Sequence, residues 1–152
     1  MAKRVRGIII GMVFTVVFAI PGCIGVDPID ISGGWTGFMT WAEGDPNAGF
    51  TTPITLDLAQ EGQTVSGAVG LMGPGSNPFS LSITSGNVHG HSVSIDAAGT
   101  LDLITPPANI IISLTGDSDG ERMSGSGTQT IDGVPHPFTW EVMLTSPPIE
   151  PS

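Results

Sequence analysis

Short runs in which apolar and polar residues alternate, each closed by a turn dipeptide, recur along most of this chain and leave few folds open to it. Ile54, Leu56 and Leu58 alternate with Thr55 and Asp57, and Phe79, Leu81 and Ile83 alternate with Ser80, Ser82 and Thr84. A period of two puts successive side chains on opposite faces of a strand, whereas a helix needs an apolar stripe at about 3.6 residues. No such stripe follows Cys23. The pattern predicts eight strands: Trp35 to Trp41, Ile54 to Gln60, Thr64 to Met72, one around Phe79 to Thr84, one around Ser92 to Asp96, Asn109 to Thr115, Arg122 to Thr130 and Pro137 to Thr145. Glu61-Gly62, His89-Gly90-His91, Asp117-Ser118-Asp119-Gly120 and Asp132-Gly133 read as the intervening turns. A short extra strand over Leu101 to Ile104 is a further expectation in the looser stretch Ala98 to Ala108.

Consecutive hairpins favour an up-and-down meander. Eight strands sharing one apolar face lose their exposed edges most simply by closing into a small antiparallel barrel, so the expected class is all-β, with a two-layer sandwich as the alternative. About 115 residues between Ile31 and Thr145 suffice for one such domain. The expected organisation is a signal over 1–22, a tether over 23–32, the barrel over 33–145 and a Pro-rich tail over 146–152.

The amino terminus carries a different message. Lys3, Arg4 and Arg6 precede the apolar run from Gly7 to Ala19, which Pro21 and Gly22 interrupt before it reaches the roughly 20 residues of a membrane span. A cleaved signal helix is expected. Ile20-Pro21-Gly22-Cys23, which ends in the one cysteine of the chain, resembles the lipobox of bacterial lipoproteins, although Pro21 stands where Ala or Ser is usual. The resemblance implies acylation of Cys23 and a lipid-anchored place in the cell envelope. Ile24 after the cysteine, in place of the Asp that retains some lipoproteins in an inner membrane, is compatible with the outer membrane of a Gram-negative cell. With no second cysteine, no disulfide forms within the chain and packing alone must hold the fold.

Removal of the signal leaves Arg122 as the one Lys or Arg against fourteen Asp and Glu, a side-chain balance of −13. Nucleic acid is excluded as a partner, because binding it requires cations to replace counterions along the phosphates. Anionic headgroups repel such a body too, so membrane attachment falls to the acyl group.

At the start of the first strand, Ser32-Gly33-Gly34-Trp35-Thr36-Gly37 resembles the calycin group of lipocalins and avidins, whose early Trp packs across the floor of the barrel. The resemblance gives that role to Trp35. The chain has no Tyr and no Arg near its last strand, so the tyrosine of an avidin-type biotin site has no counterpart. Gly37, Gly67, Gly125 and Gly127 take inward positions by parity. They either open a cavity or let the sheet coil tightly while Trp35, Trp140 and Met123 fill the interior. In the first case Trp35, Met39, Trp41, Leu56, Phe79, Ile95, Trp140 and Val142 would line a pocket for a greasy ligand.

Three polar clusters invite chemistry. Gly116-Asp117-Ser118-Asp119-Gly120 matches G-x-S-x-G, yet that elbow needs a helix after the turn, and a strand is expected here. Asp117, Asp119 and Glu121 would be weak calcium ligands, without the spacing of an EF-hand loop. His89 and His91 would bind Zn²⁺ or Cu²⁺ only if His136 or Asp96 came close. The expectation is therefore a non-enzymatic envelope protein with no cofactor. Two roles stay open: binding of a small hydrophobic ligand in the barrel, or binding of a protein as an inhibitor or assembly factor with a filled core.

Overall fold

In a computed structural model, which describes residues 26–102 and 104–148, the chain forms one closed barrel of eight antiparallel strands in sequential order. The strands are β1 (Gly33–Trp41), β2 (Thr51–Glu61), β3 (Thr64–Met72), β4 (Pro78–His89), β5 (Ser92–Leu101), β6 (Ala108–Ser118), β7 (Arg122–Ile131) and β8 (Val134–Ser146). β1 pairs with β8, Trp35 opposite Leu144 and Trp41 opposite Phe138, which closes the sheet and removes its edges. The meander thus forms a barrel and not a sandwich. A single 3₁₀ turn, Pro74–Ser76, is the one helical piece among the described residues.

Alternation places Ile54, Leu56 and Leu58 of β2, Ile110, Ile112 and Leu114 of β6, and Phe138, Trp140 and Val142 of β8 in one continuous interior. Asp132-Gly133 makes the predicted two-residue turn. Both residues have positive φ, 48° and 85°, the conformation that matches the twist of the flanking strands.

Two local readings are corrected. Among the described residues no separate strand forms between β5 and β6: Leu101 ends β5 and Ile104 lies in a bend. In β4 the inward parity changes, because Ile83 pairs with Ala97 but Ser85 pairs with Asp96, so the strand carries one extra residue there. Leu81 faces the core before that bulge and Val88 after it.

The interior glycines coil the sheet. A Cβ on Gly37 would overlap the carbonyl oxygen of Glu141, and one on Gly125 that of Thr115. Glycine at these two positions lets neighbouring backbones approach more closely than any side chain permits. Trp35, Trp140 and Met123 are all buried in the space so enclosed, and the middle of the barrel is a packed core.

Candidate functional site

The even and odd connections collect at opposite ends of the barrel. The β2–β3, β4–β5 and β6–β7 turns share one end with the chain entering β1 and leaving β8. That entering segment lies across the end as a plug. Ile29 N–H donates to Gly90 O at 2.8 Å. The Gln60 side chain holds the plug twice, its Oε1 accepting from Ile31 N–H and its Nε2 donating to Ile29 O. Ile31 is fully buried, and Trp35 Nε1–H donates to its carbonyl at 2.8 Å. Trp35, the third residue of β1, therefore forms the floor at this end. Ile29 and Ile31 pack against the barrel core.

The opposite end is open. Its connections are longer, spanning residues 42–50, 73–77 and 102–107, with Asp132-Gly133 as the short one. Between them lies a cavity of about 260 Å³ lined by Met39, Trp41, Leu71, Phe79, Ile110 and Ile131, with Asn47, Thr52, Gln129 and His136 among its polar members. By liquid volume it would hold roughly nine waters at ~30 Å³ each. Of the eight residues expected to line a pocket, Met39, Trp41 and Phe79 meet at this mouth. Trp35, Leu56, Ile95 and Val142 are packed in the core below it. Trp140 is buried as well, and its Nε1–H donates to Ser126 O at 3.0 Å. A wider groove of about 710 Å³ runs over the outer surface of β1, β7 and β8 past Phe38, Ser124 and Met143, open to solvent along its length.

One wall of the mouth is fixed by a hydrogen-bonded pair that joins residues 91 apart in sequence. His136 Nδ1 lies 2.6 Å from Asp45 Oδ2, and the Asp45 side chain is only 2% exposed. Asp45 Oδ1 also accepts from Asn47 N–H at 2.8 Å. The Asn47 amide, together with His136, holds the Asp45 carboxyl below its usual pKa. The acceptor at Nδ1 fixes the His136 tautomer with its proton on that nitrogen, so Nε2 remains for another partner. Trp41 sets its ring edge-on to His136 and to Phe138, with centroids 6.1 Å and 5.8 Å away. Neither Asp45 nor Gln129 stood out in the sequence. The available signal for Gln129 was a polar residue at the parity of Met123, Gly125 and Gly127.

The polar clusters all serve the turns at the plugged end. Ser118 is buried, and its hydroxyl accepts from Gly120 N–H at 3.1 Å, so it is not presented to a substrate. Asp119 Oδ1 accepts from the Glu121 and Arg122 N–H groups at 2.9 and 2.7 Å, and these two bonds lower its pKa. Asp117 accepts from the Ser92 hydroxyl. Arg122 reaches across to pair with Glu141, which raises the guanidinium pKa. His91 is bonded to Ser118 O, Asp96 takes the Ser113 hydroxyl, and His136 stands at the other end of the barrel from His89 and His91. Among the described residues no three His, Cys, Asp or Glu side chains converge as metal ligands.

Comparison with family models, with curated proteins and with solved structures found no match. Cys23 and residues 1–22, where a signal is expected, lie outside the described residues.

Proposed function

We propose that this chain is a lipid-anchored envelope protein whose open barrel mouth binds a small, mostly apolar molecule. The observation that carries this reading is the mouth itself: a concave apolar surface at one end of a barrel whose middle is filled and whose other end is plugged. A site lined by aliphatic and aromatic side chains with a few fixed polar groups is the usual form of a small-molecule pocket. At 260 Å³ it is smaller than most, which restricts the ligand to about the size of one substituted ring or a short chain.

An acyl group on Cys23 agrees with this layout. Val26 approaches Gly90 at the plugged end, and the three residues from Cys23 to Val26 span only about 10 Å when extended. The anchor would hold the plugged end toward the leaflet and turn the mouth to the aqueous side, where a small solute arrives. Charge of −13 keeps the rest of the body off an anionic surface.

Native mass spectrometry of protein extracted from membranes should show a diacylglyceryl-modified Cys23 as the first residue. Toluene titrated into the soluble barrel should change the Trp fluorescence, and Trp41→Phe should remove most of that change, because Trp35 and Trp140 lie out of reach of the mouth. An unmodified start elsewhere removes the anchor. A fluorescence change that survives Trp41→Phe, or none at all, removes the mouth as the site.

A second reading, docking of a protein on the same end, is favoured by the rim. Phe50 is 69% exposed and Val134 56%, with Met72 and Ile104 also uncovered around the opening. It predicts that Phe50→Ser abolishes partner capture without altering toluene binding.

A further inference from the structure

Gln129 is the polar residue that a merely greasy pocket does not explain. Its backbone is held on both sides within the sheet, opposite Ile112 of β6 and His136 of β8. Its side chain faces inward, is only 7% exposed and lines the mouth. No side-chain hydrogen bond among the described residues includes its amide, while no fully sealed polar side-chain atom lacks a partner. The amide therefore opens into the cavity. An amide withdrawn from bulk water without a partner costs free energy, so a strand that keeps one there in an apolar enclosure provides a ligand contact.

His136, the cross-strand neighbour of Gln129, supplies the second contact. Its Nδ1 is committed to Asp45 and its Nε2 is not, which leaves one ring nitrogen for a ligand beside an amide that both donates and accepts. Charge selects further. Arg122, the one Lys or Arg among the described residues, pairs with Glu141 at the plugged end, and Glu43, Asp102 and Asp132 stand on the loops of the open end. A carboxylate head would meet no free cation and several acids. A cationic head would find no carboxylate among the residues that line the cavity, and Asp45, next to it, already has its two oxygens bonded to Asn47 and His136.

We infer that the mouth selects an uncharged molecule with an apolar body and one head group that both donates and accepts hydrogen bonds, such as a primary carboxamide, held by Gln129 and His136. The inference rests on the proposed ligand-binding mouth and names the chemistry of its ligand.

Four probes share one ring and differ in the head: benzamide, benzoate, benzylamine and toluene. Titrations of the ¹⁵N-labelled barrel domain, followed through the backbone amide signals of mouth residues such as Leu71 and Ile131, should give benzamide about tenfold tighter binding than the other three, the effect of one to two neutral hydrogen bonds. Gln129→Met keeps the volume and removes the amide. It should weaken benzamide about fivefold and leave toluene equal or tighter, an inversion that a loss of folding cannot produce. If toluene binds as well as benzamide and Gln129→Met changes neither, the head-group inference fails while the apolar mouth stands. Tightest binding by benzoate or benzylamine also overturns it. If no probe shifts any mouth resonance, the mouth itself is not a ligand site and both proposals fall.

Discussion

The two ends of the barrel are made by the same eight strands and the same alternation, yet one is sealed and the other is not. At the plugged end, short turns bring the strands together, Ile31 drops into the core, and Gln60 and Trp35 satisfy the backbone of the segment that crosses it. At the open end, longer loops stand apart, and the polar groups that line the cavity are only partly matched: His136 is bonded to Asp45 through Nδ1 alone, and no side-chain hydrogen bond among the described residues includes Gln129. A buried polar group with its bonds made stabilises a fold, whereas one facing a cavity without them is available to a ligand. Stability and recognition are thus separated along the barrel axis.

The tryptophans offer the strongest way to break that contrast. Trp35→Ala, at the floor, should cost about 4 kcal/mol, since it empties a fully buried site and leaves the Ile31 carbonyl without its donor. Trp41→Ala, half-buried at the mouth, should cost about 1–2 kcal/mol by the apolar area it loses. Urea denaturation measures both, and equal costs would erase the distinction between the ends.

Glycines sharpen the comparison at the next level. Gly125→Ala drives a Cβ into the Thr115 carbonyl within the coiled wall and should cost about 3 kcal/mol. Gly44→Ala, in the β1–β2 loop, meets nothing within 4 Å and should cost about 1 kcal/mol, for its positive φ alone. Thermal denaturation of the pair reports whether the wall, and not the loop, carries the constraint.

The smallest effect is a pH response confined to the mouth. Asp45 has a lowered pKa in the fold, so its contribution is fully present above the unfolded value of about 3.9 and is lost as pH falls below that through the folded value. Below about pH 4 the amide of Gly49, which donates to Trp41 O, should exchange a few-fold faster. The Ile29 amide at the plug should not change, and Asp45→Asn should flatten the Gly49 response.

Much of this architecture was readable before any coordinates because a strand's alternation and its turn residues are local. Ile54 to Leu58, Phe138 to Leu144 and the Asp132-Gly133 turn declare themselves in a few residues. The inward face of Trp35 followed from its parity with Met39 in β1, whereas its place at the floor was implied only by the resemblance of Gly33-Gly34-Trp35 to the calycin group. The bulge at Thr84 was not readable, since a threonine in a run of Ser and Thr gives no sign that it is one residue too many, and Val88 was missed as a core residue for that reason. Depth along the axis was equally hidden. Parity says that Met39 and Val142 both face inward, but it does not say that one lies at a mouth and the other in a packed middle. The Asp45–His136 pair joins the first connection to the last strand, a contact only closure of the barrel creates.

A crystal of the barrel domain under xenon pressure tests the division most directly, because xenon enters apolar space that is vacant and reachable. It should settle at the mouth against Met39, Leu71, Phe79 and Ile110 and nowhere between Trp35 and Trp140. Xenon bound within that central layer, or an empty mouth beside an occupied plug, would contradict a barrel that is filled below and open at one end.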